Sequence, residues 1–173
     1  GGRGLPGAGS PATCVTAAYT VTTDAMRAGI GLVPEDRKLA GMEGQYQTSF
    51  QRGRRIITAF NRHPQHRPDN RTDLYYLQTH DMGETWQTID GTMISPPLVD
   101  PKNPALVKAY SDNRRLVYLN SITLDGEGNP VILVVTSSDH RPGPQGDPRT
   151  WEVLHHKGGK WYVHHVTTST HNY

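Results

Sequence analysis

Basic side chains gather in two short polar stretches of the chain: His63, His66, Arg67 and Arg71 in the first, His140, Arg141 and Arg149 in the second. Arginine presents a planar fork of donors that grips a carboxylate or similar oxyanion through paired hydrogen bonds. Histidine exchanges protons near neutral pH, and tyrosine can act as acid or base in a suitable site. His171 and Tyr173 add both types at the end of the sequence. The combination suits an anionic ligand whose reaction moves a proton, with His63, His66, His171 and Tyr173 as candidate catalytic groups. Arg67, Arg71, His140, Arg141 and Arg149 are the candidate ligand-binding groups. The plain alternative is a set of solvated loop residues, with Arg71 paired to Asp73 and Arg149 to Asp147.

Other chemistries find less support. Glu43, Glu84, Asp125 and Glu127 form no evident acid pair for two-carboxylate hydrolysis. No Gly-x-Ser-x-Gly run marks a serine nucleophile. Cys14 is the single cysteine, so neither an internal disulfide nor a multi-cysteine zinc site is available. A two-residue Gly158-Gly159 turn would place His155 and His164 on one face but only diagonally, about 7–8 Å apart at Cα, so they read as strand residues rather than metal ligands. The sequence requires no metal and no cofactor. A net charge of +2, spread through loops without a basic tract, argues against nucleic acid. No apolar run approaches the roughly 18 residues of a membrane-spanning helix, and no signal peptide is readable at the start.

The elements that must hold these loops are strands. From Gly44 onward, short runs rich in Tyr, Val, Ile, Leu, Thr and Trp are separated by clusters of Gly, Asn, Asp and Pro, the punctuation of an all-β chain. Gln45–Phe50 and Arg55–Phe60 flank a turn at Gln51-Arg52-Gly53, and Asp73–Thr79 and Trp86–Asp90 follow the polar loop 61–72. An irregular, proline-containing stretch covers 91–113. The order then recurs as Leu116–Leu124, Val131–Ser137, Trp151–His156 and Trp161–Thr167, with the second polar loop at 138–149. Successive four-stranded meanders predict a β-propeller, of which this chain carries about two blades; a sandwich is the second choice. The expected division is a lead-in or partial blade over 1–43, with Ala17–Thr22 strand-like, a blade over 44–90, a connection over 91–115, a second blade over 116–168 and the start of another over 169–173. Strand reversal alone puts the 61–72 and 138–149 loops on one rim, together with the strand-to-blade connections.

Thr79-His80-Asp81-Met82-Gly83-Glu84-Thr85-Trp86 has the form Ser/Thr-x-Asp-x-Gly-x-Thr-Trp between two predicted strands. Asp81 can hold backbone amides across the turn, Gly83 permits a positive φ, Thr85 fixes the returning strand, Trp86 covers the apolar edge, and Thr79 opens the turn. The octapeptide resembles the Asp-box, or BNR repeat, of sialidase-like β-propellers. Gly44-Gln45-Tyr46-Gln47-Thr48, Thr58-Ala59-Phe60-Asn61-Arg62-His63 and Asp73-Leu74-Tyr75-Tyr76 are similar to the BNR-repeat branch containing ulvan lyases and rhamnose-glucuronate-cleaving enzymes. The second unit has Lys157-Gly158-Gly159-Lys160 where its own Asp-box would stand.

The resemblance implies a seven-bladed parent that acts on an acidic polysaccharide or oligosaccharide outside the cytoplasm, extracellular or periplasmic, by β-elimination or glycosidic hydrolysis. A sugar-binding or scaffold propeller without activity is the alternative. In β-elimination an arginine would neutralise the uronate carboxylate, a tyrosine or histidine would abstract the C5 proton, and a second group would protonate the leaving oxygen. Asp81 and Trp86 fall on the rim opposite the basic loops, which makes the Asp-box a folding device.

Overall fold

The computed structural model describes residues 45–170, so the 1–43 lead-in and its Ala17–Thr22 strand lie outside the described residues. β1 (Gln47–Arg52), β2 (Arg55–Arg62) and β3 (Thr72–Thr79) form an antiparallel meander, continued by the short β4 (Trp86–Gln87) and β5 (Met93–Ile94). β6 (Leu106–Lys108) also pairs with β3. The second sheet is a four-stranded meander of β7 (Leu116–Leu124), β8 (Pro130–Ser137), β9 (Arg149–Lys157) and β10 (Lys160–Ser169). Single 3-10 turns are the helical content of the described residues, and no helix there is long and apolar enough to cross a membrane.

The period of two along each strand explains how the sheets stack. In β2 and β3, Ile57, Ala59, Leu74 and Tyr76 project to one side and meet Val117, Ile132, Val134 and Leu154 of the second sheet in one core cluster. Their neighbours Ile56, Phe60, Tyr75 and Leu77 project to the other side, where Trp86, Leu98 and Ala105 cover them. Every residue of β3 is therefore buried. Each large apolar side chain among them, such as Ile57, Phe60, Leu74 or Leu77, contributes roughly 1.5–3 kcal/mol by leaving water, and that contribution fixes the register, because a one-residue slip would exchange the two faces.

Three expectations differ from the structure. β1 runs through Arg52, and the hairpin turns at Gly53 and Arg54, with Gly53 at φ 60°. The fourth strand stops at Gln87 instead of Asp90, because Thr88 and Asp90 turn the chain: the Thr92 amide donates to Thr88 Oγ1 at 3.1 Å and to Asp90 Oδ1 at 3.3 Å. The 91–113 stretch, expected to be irregular, holds β5 and β6. β4 pairs with the Gln78 end of β3, and β6 takes the Leu74–Tyr75 end. Two short segments thus share the edge that one strand was expected to fill.

Candidate functional site

Strand reversal brings three connections to one end of the stacked sheets: 63–71 between β2 and β3, 138–148 between β8 and β9, and 109–115 leading into β7. They enclose a cleft of about 320 Å³, walled by Arg62, Asn70, Ser111, Arg114, Arg115 and His140 together with Asp139 and neighbouring loop residues. Asp73 organises one wall. It is buried at the start of β3 with φ 58°, accepts Arg62 Nε at 2.8 Å on Oδ2, and accepts the Ser111 amide at 2.9 Å on Oδ1. Arg62 is thereby neutralised while the turn carrying Arg114 is tied to the first sheet. Lys108 and Tyr110 tie the same connection to the second sheet: the Tyr110 hydroxyl donates to Glu152 Oε2 at 2.6 Å, and Lys108 Nζ lies 3.4 Å from that oxygen.

Arg114 and Arg115 close this connection. Arg114 is exposed and adopts a left-handed conformation, φ 51° and ψ 39°, at the end of the Tyr110–Asn113 turn. Arg115 uses Nη2 on neutral acceptors, Pro148 O at 2.9 Å and Thr136 Oγ1 at 3.0 Å. Among the described residues, neither has a carboxylate within ion-pair distance.

Beside the cleft stands a second constellation, outside its lining. The Arg71 guanidinium lies between the Tyr46 and Tyr118 rings, 4.8 Å and 4.7 Å from their centroids. His63 meets the Tyr46 ring edge-on with centroids 4.6 Å apart. His63 is buried, and its Nε2 is shielded from solvent with no hydrogen-bond partner among the described residues. Burial, and after it the Arg71 charge, push the His63 imidazole below its ordinary value of 6.5, which favours the neutral ring. Asn61 fixes this corner: its Oδ1 accepts the Tyr46 amide at 2.9 Å and its Nδ2 donates to Val117 O at 3.0 Å.

The other sequence candidates are placed as follows. His66, at φ 56°, and Arg67 are exposed on the 63–71 connection. His140 lines the cleft with Nδ1 3.6 Å from Asp139. Arg141 closes on Asp139 through two parallel bonds, Nε at 2.9 Å and Nη2 at 2.8 Å. Arg149 is buried and turned into its own loop, where it binds Asp147 Oδ1 at 2.6 Å, Arg141 O at 3.0 Å and Gly143 O at 3.2 Å. Asp73 is paired with Arg62 rather than Arg71. His171 and Tyr173 lie outside the described residues. Sequence reasoning missed Arg62, Arg114, Arg115, Tyr46 and Tyr118. The Arg114-Arg115 pair directly before a predicted strand was the available signal; the Tyr46–Arg71–Tyr118 stack leaves none, because it is made by packing two sheets.

The opposite end is held by turns. The Thr79 hydroxyl donates to Asp81 Oδ1 at 2.6 Å, the Thr85 amide to Oδ1 at 3.0 Å, the Thr85 hydroxyl to Oδ2 at 2.6 Å, and the Gly83 amide to Thr79 Oγ1 at 2.9 Å. Gly83 has φ 97° and Trp86 is buried in the outer cluster. These bonds, the Thr79 hydroxyl first, hold the Asp81 carboxyl well below the usual range. His155 Nε2 lies 2.8 Å from Asp125 Oδ2, and among the described residues no group of three or more His, Cys, Asp or Glu is placed to hold a metal ion.

Stacked antiparallel meanders with tight turns at one end and basic loops at the other define an all-β protein whose candidate site lies on its loops. The chain belongs to the BNR repeat-containing family, whose model matches residues 13–169. Its structure is similar to two solved structures of an ulvan lyase, described as a new family of polysaccharide lyase, one of them bound to -[GlcA(1-4)Rha3S]-. Each has a TM-score of 0.54 and 15% identity, over 69% of this chain and 30% of the lyase. At that identity the likeness is one of fold, and the chain spans less than a third of the lyase's length. No curated protein sequence matches the chain.

Proposed function

We propose that the two sheets are blades of a β-propeller, acting outside the cytoplasm on uronate- and rhamnose-containing polysaccharide, and that the loop end binds the sugar chain. The observation that carries this reading is the convergence of three connections into one cleft with uncompensated guanidiniums, beside a stacked Arg71 and a neutral His63. Family membership and the fold of an ulvan lyase support it. The reaction that suits these groups is β-elimination. Arg71 pairs with the uronate carboxylate and so acidifies the C5 proton; His63 accepts that proton; C4=C5 forms as the C4–O bond breaks, and the departing oxygen takes a proton from a second acid. A buried ring nitrogen without a partner costs about 1–3 kcal/mol, a cost native sites accept where the group is used.

One observation favours a second reading, a sugar-binding propeller without turnover: His63 Nε2 is covered, so neighbouring groups must give way before a sugar reaches it. The full-length protein incubated with uronate-containing polysaccharides separates the cases. Rising ultraviolet absorbance of unsaturated uronate shows a lyase, and reducing ends without that absorbance show a hydrolase. Binding with neither signal shows a binder. His63→Ala abolishes turnover and spares affinity if the elimination scheme holds.

A further inference from the structure

The Arg114–Arg115 wall of the cleft has properties that the elimination scheme leaves unused. Guanidiniums in folded proteins are met by carboxylates, carbonyls, a ligand or water. Here Asp73 is taken by Arg62 and Asp139 by Arg141, which leaves the adjacent Arg114 and Arg115 of the lining without a carboxylate partner among the described residues. Arg115 is anchored through Nη2 alone, on Thr136, Pro148 and Thr150, so among the described residues the remaining donors of its fork have no partner. Arg114 has no side-chain partner among the described residues. Its left-handed backbone costs an arginine roughly 1–2 kcal/mol that a glycine would not incur, so the backbone gives no reason for an arginine at this position. Asn70 and Ser111 stand on the same wall, with groups able to meet ring hydroxyls. None of Tyr46, His63, Arg71 or Tyr118 lines this cleft, so the two constellations are separate.

We propose that the cleft is a second anion subsite, in which Arg114 and Arg115 take a carboxylate or sulfate ester carried by another sugar unit of the bound chain. This rests on the acidic-saccharide reading above. Two charged subsites make the protein selective for chains with repeated anionic units, since a ligand carrying one charge fills only one of them.

The backbone supplies a clean variant. Arg114→Gly removes the guanidinium at a position where glycine is at ease, so the melting temperature stays level or rises. Binding of a sulfated, uronate-containing oligosaccharide to the full-length variant, followed by calorimetry, weakens about tenfold or more, the loss of one or two charge-assisted hydrogen bonds. Arg54→Ala, at the hairpin turn on the opposite end, controls for net charge and leaves affinity unchanged. A loss confined to the sulfated oligosaccharide and missing from its desulfated counterpart assigns the sulfate ester; an equal loss on both assigns the carboxylate. Unchanged affinity in Arg114→Gly, or an equal loss in Arg54→Ala, overturns the subsite. Should the wild type bind neither oligosaccharide, the acidic-saccharide reading fails on its own account. The subsite is then decided by inorganic sulfate: a rise in melting temperature larger for wild type than for Arg114→Gly upholds it, and equal rises overturn it.

Discussion

Arg62 Nε and Asp73 Oδ2 face each other at 2.8 Å across the β2–β3 connection, and Asp73 Oδ1 at the same time accepts the Ser111 amide at 2.9 Å. One carboxylate thus joins a strand of the first sheet, a cleft arginine and the turn that carries Arg114. Asn tolerates the positive φ that Asp73 adopts, so Asp73→Asn removes charge without imposing backbone strain. The cost of breaking a buried pair, reduced because the Arg62 side chain is 19% exposed, comes to about 2–3 kcal/mol. The urea midpoint falls accordingly and the Ser111 amide exchanges faster. An unchanged midpoint would mean that solvent satisfies Arg62 as well as Asp73 does.

His63 gives the fold a dependence on pH with a definite sign. Its folded-state pKa lies below the ordinary 6.5, so between the two values the unfolded chain binds more protons than the folded one. The contribution to stability is fully present above 6.5 and is lost as pH falls toward the folded value. Urea midpoints measured at steps from pH 7 to pH 5 fall more steeply for the wild type than for His63→Gln. Parallel curves would show that His63 titrates as it does in the unfolded chain.

The sequence shows most of the scaffold because period-two alternation is a local signal. Composition alone marks both Ile56 to Phe60 and Val131 to Ser137 as strands; the first is buried throughout, whereas the second, whose apolar run suggests burial on both faces, alternates buried residues with the half-buried Val131, Leu133 and Val135. β5 and β6 are too short to show a period, and Pro96, Pro97, Pro101 and Pro104 lie between them. The site is less legible for a related reason. Composition puts histidines and arginines in the loops at one end of the sheets, but it cannot distinguish Arg149, consumed inside its loop by Asp147 and two carbonyls, from Arg114, which lines the cleft with no side-chain partner among the described residues. Arg71 is stacked because β7 delivers Tyr118 to the same corner as Tyr46, a contact between sheets that no local pattern encodes.

The Asp81 turn separates stability from function by position. Asp81 holds the Thr85 amide and hydroxyl and receives the Thr79 hydroxyl, at the end of the sheets away from the basic cleft. Asp81→Ala frees those donors to water and costs about 1–2 kcal/mol, comparable to losing a helix cap. Sugar affinity, measured well below the melting temperature, stays at the wild-type value. A large loss of affinity with the melting temperature intact would place Asp81 in the site.

Gly146 is the more tightly packed of the two glycines in the 138–149 loop. A Cβ there would stand 2.5 Å from Arg149 Nη2 and 2.8 Å from the Asp139 carbonyl oxygen. The guanidinium cannot swing away without leaving Asp147, Gly143 and Arg141, and the carbonyl belongs to the backbone beside His140. Gly146→Ala must therefore displace the loop, at a cost of about 1–3 kcal/mol for an added methyl in a packed site. Because Asp139 and His140 line the cleft, the displacement also alters the wall of the proposed subsite. The variant melts lower than wild type and binds sugar more weakly, whereas Gly143→Ala, at φ 91°, strains the backbone and meets only the flexible end of Gln145 at 3.3 Å. If Gly146→Ala melts and binds as wild type does, the loop has room that this packing denies, and Arg149 is not the staple that shapes it.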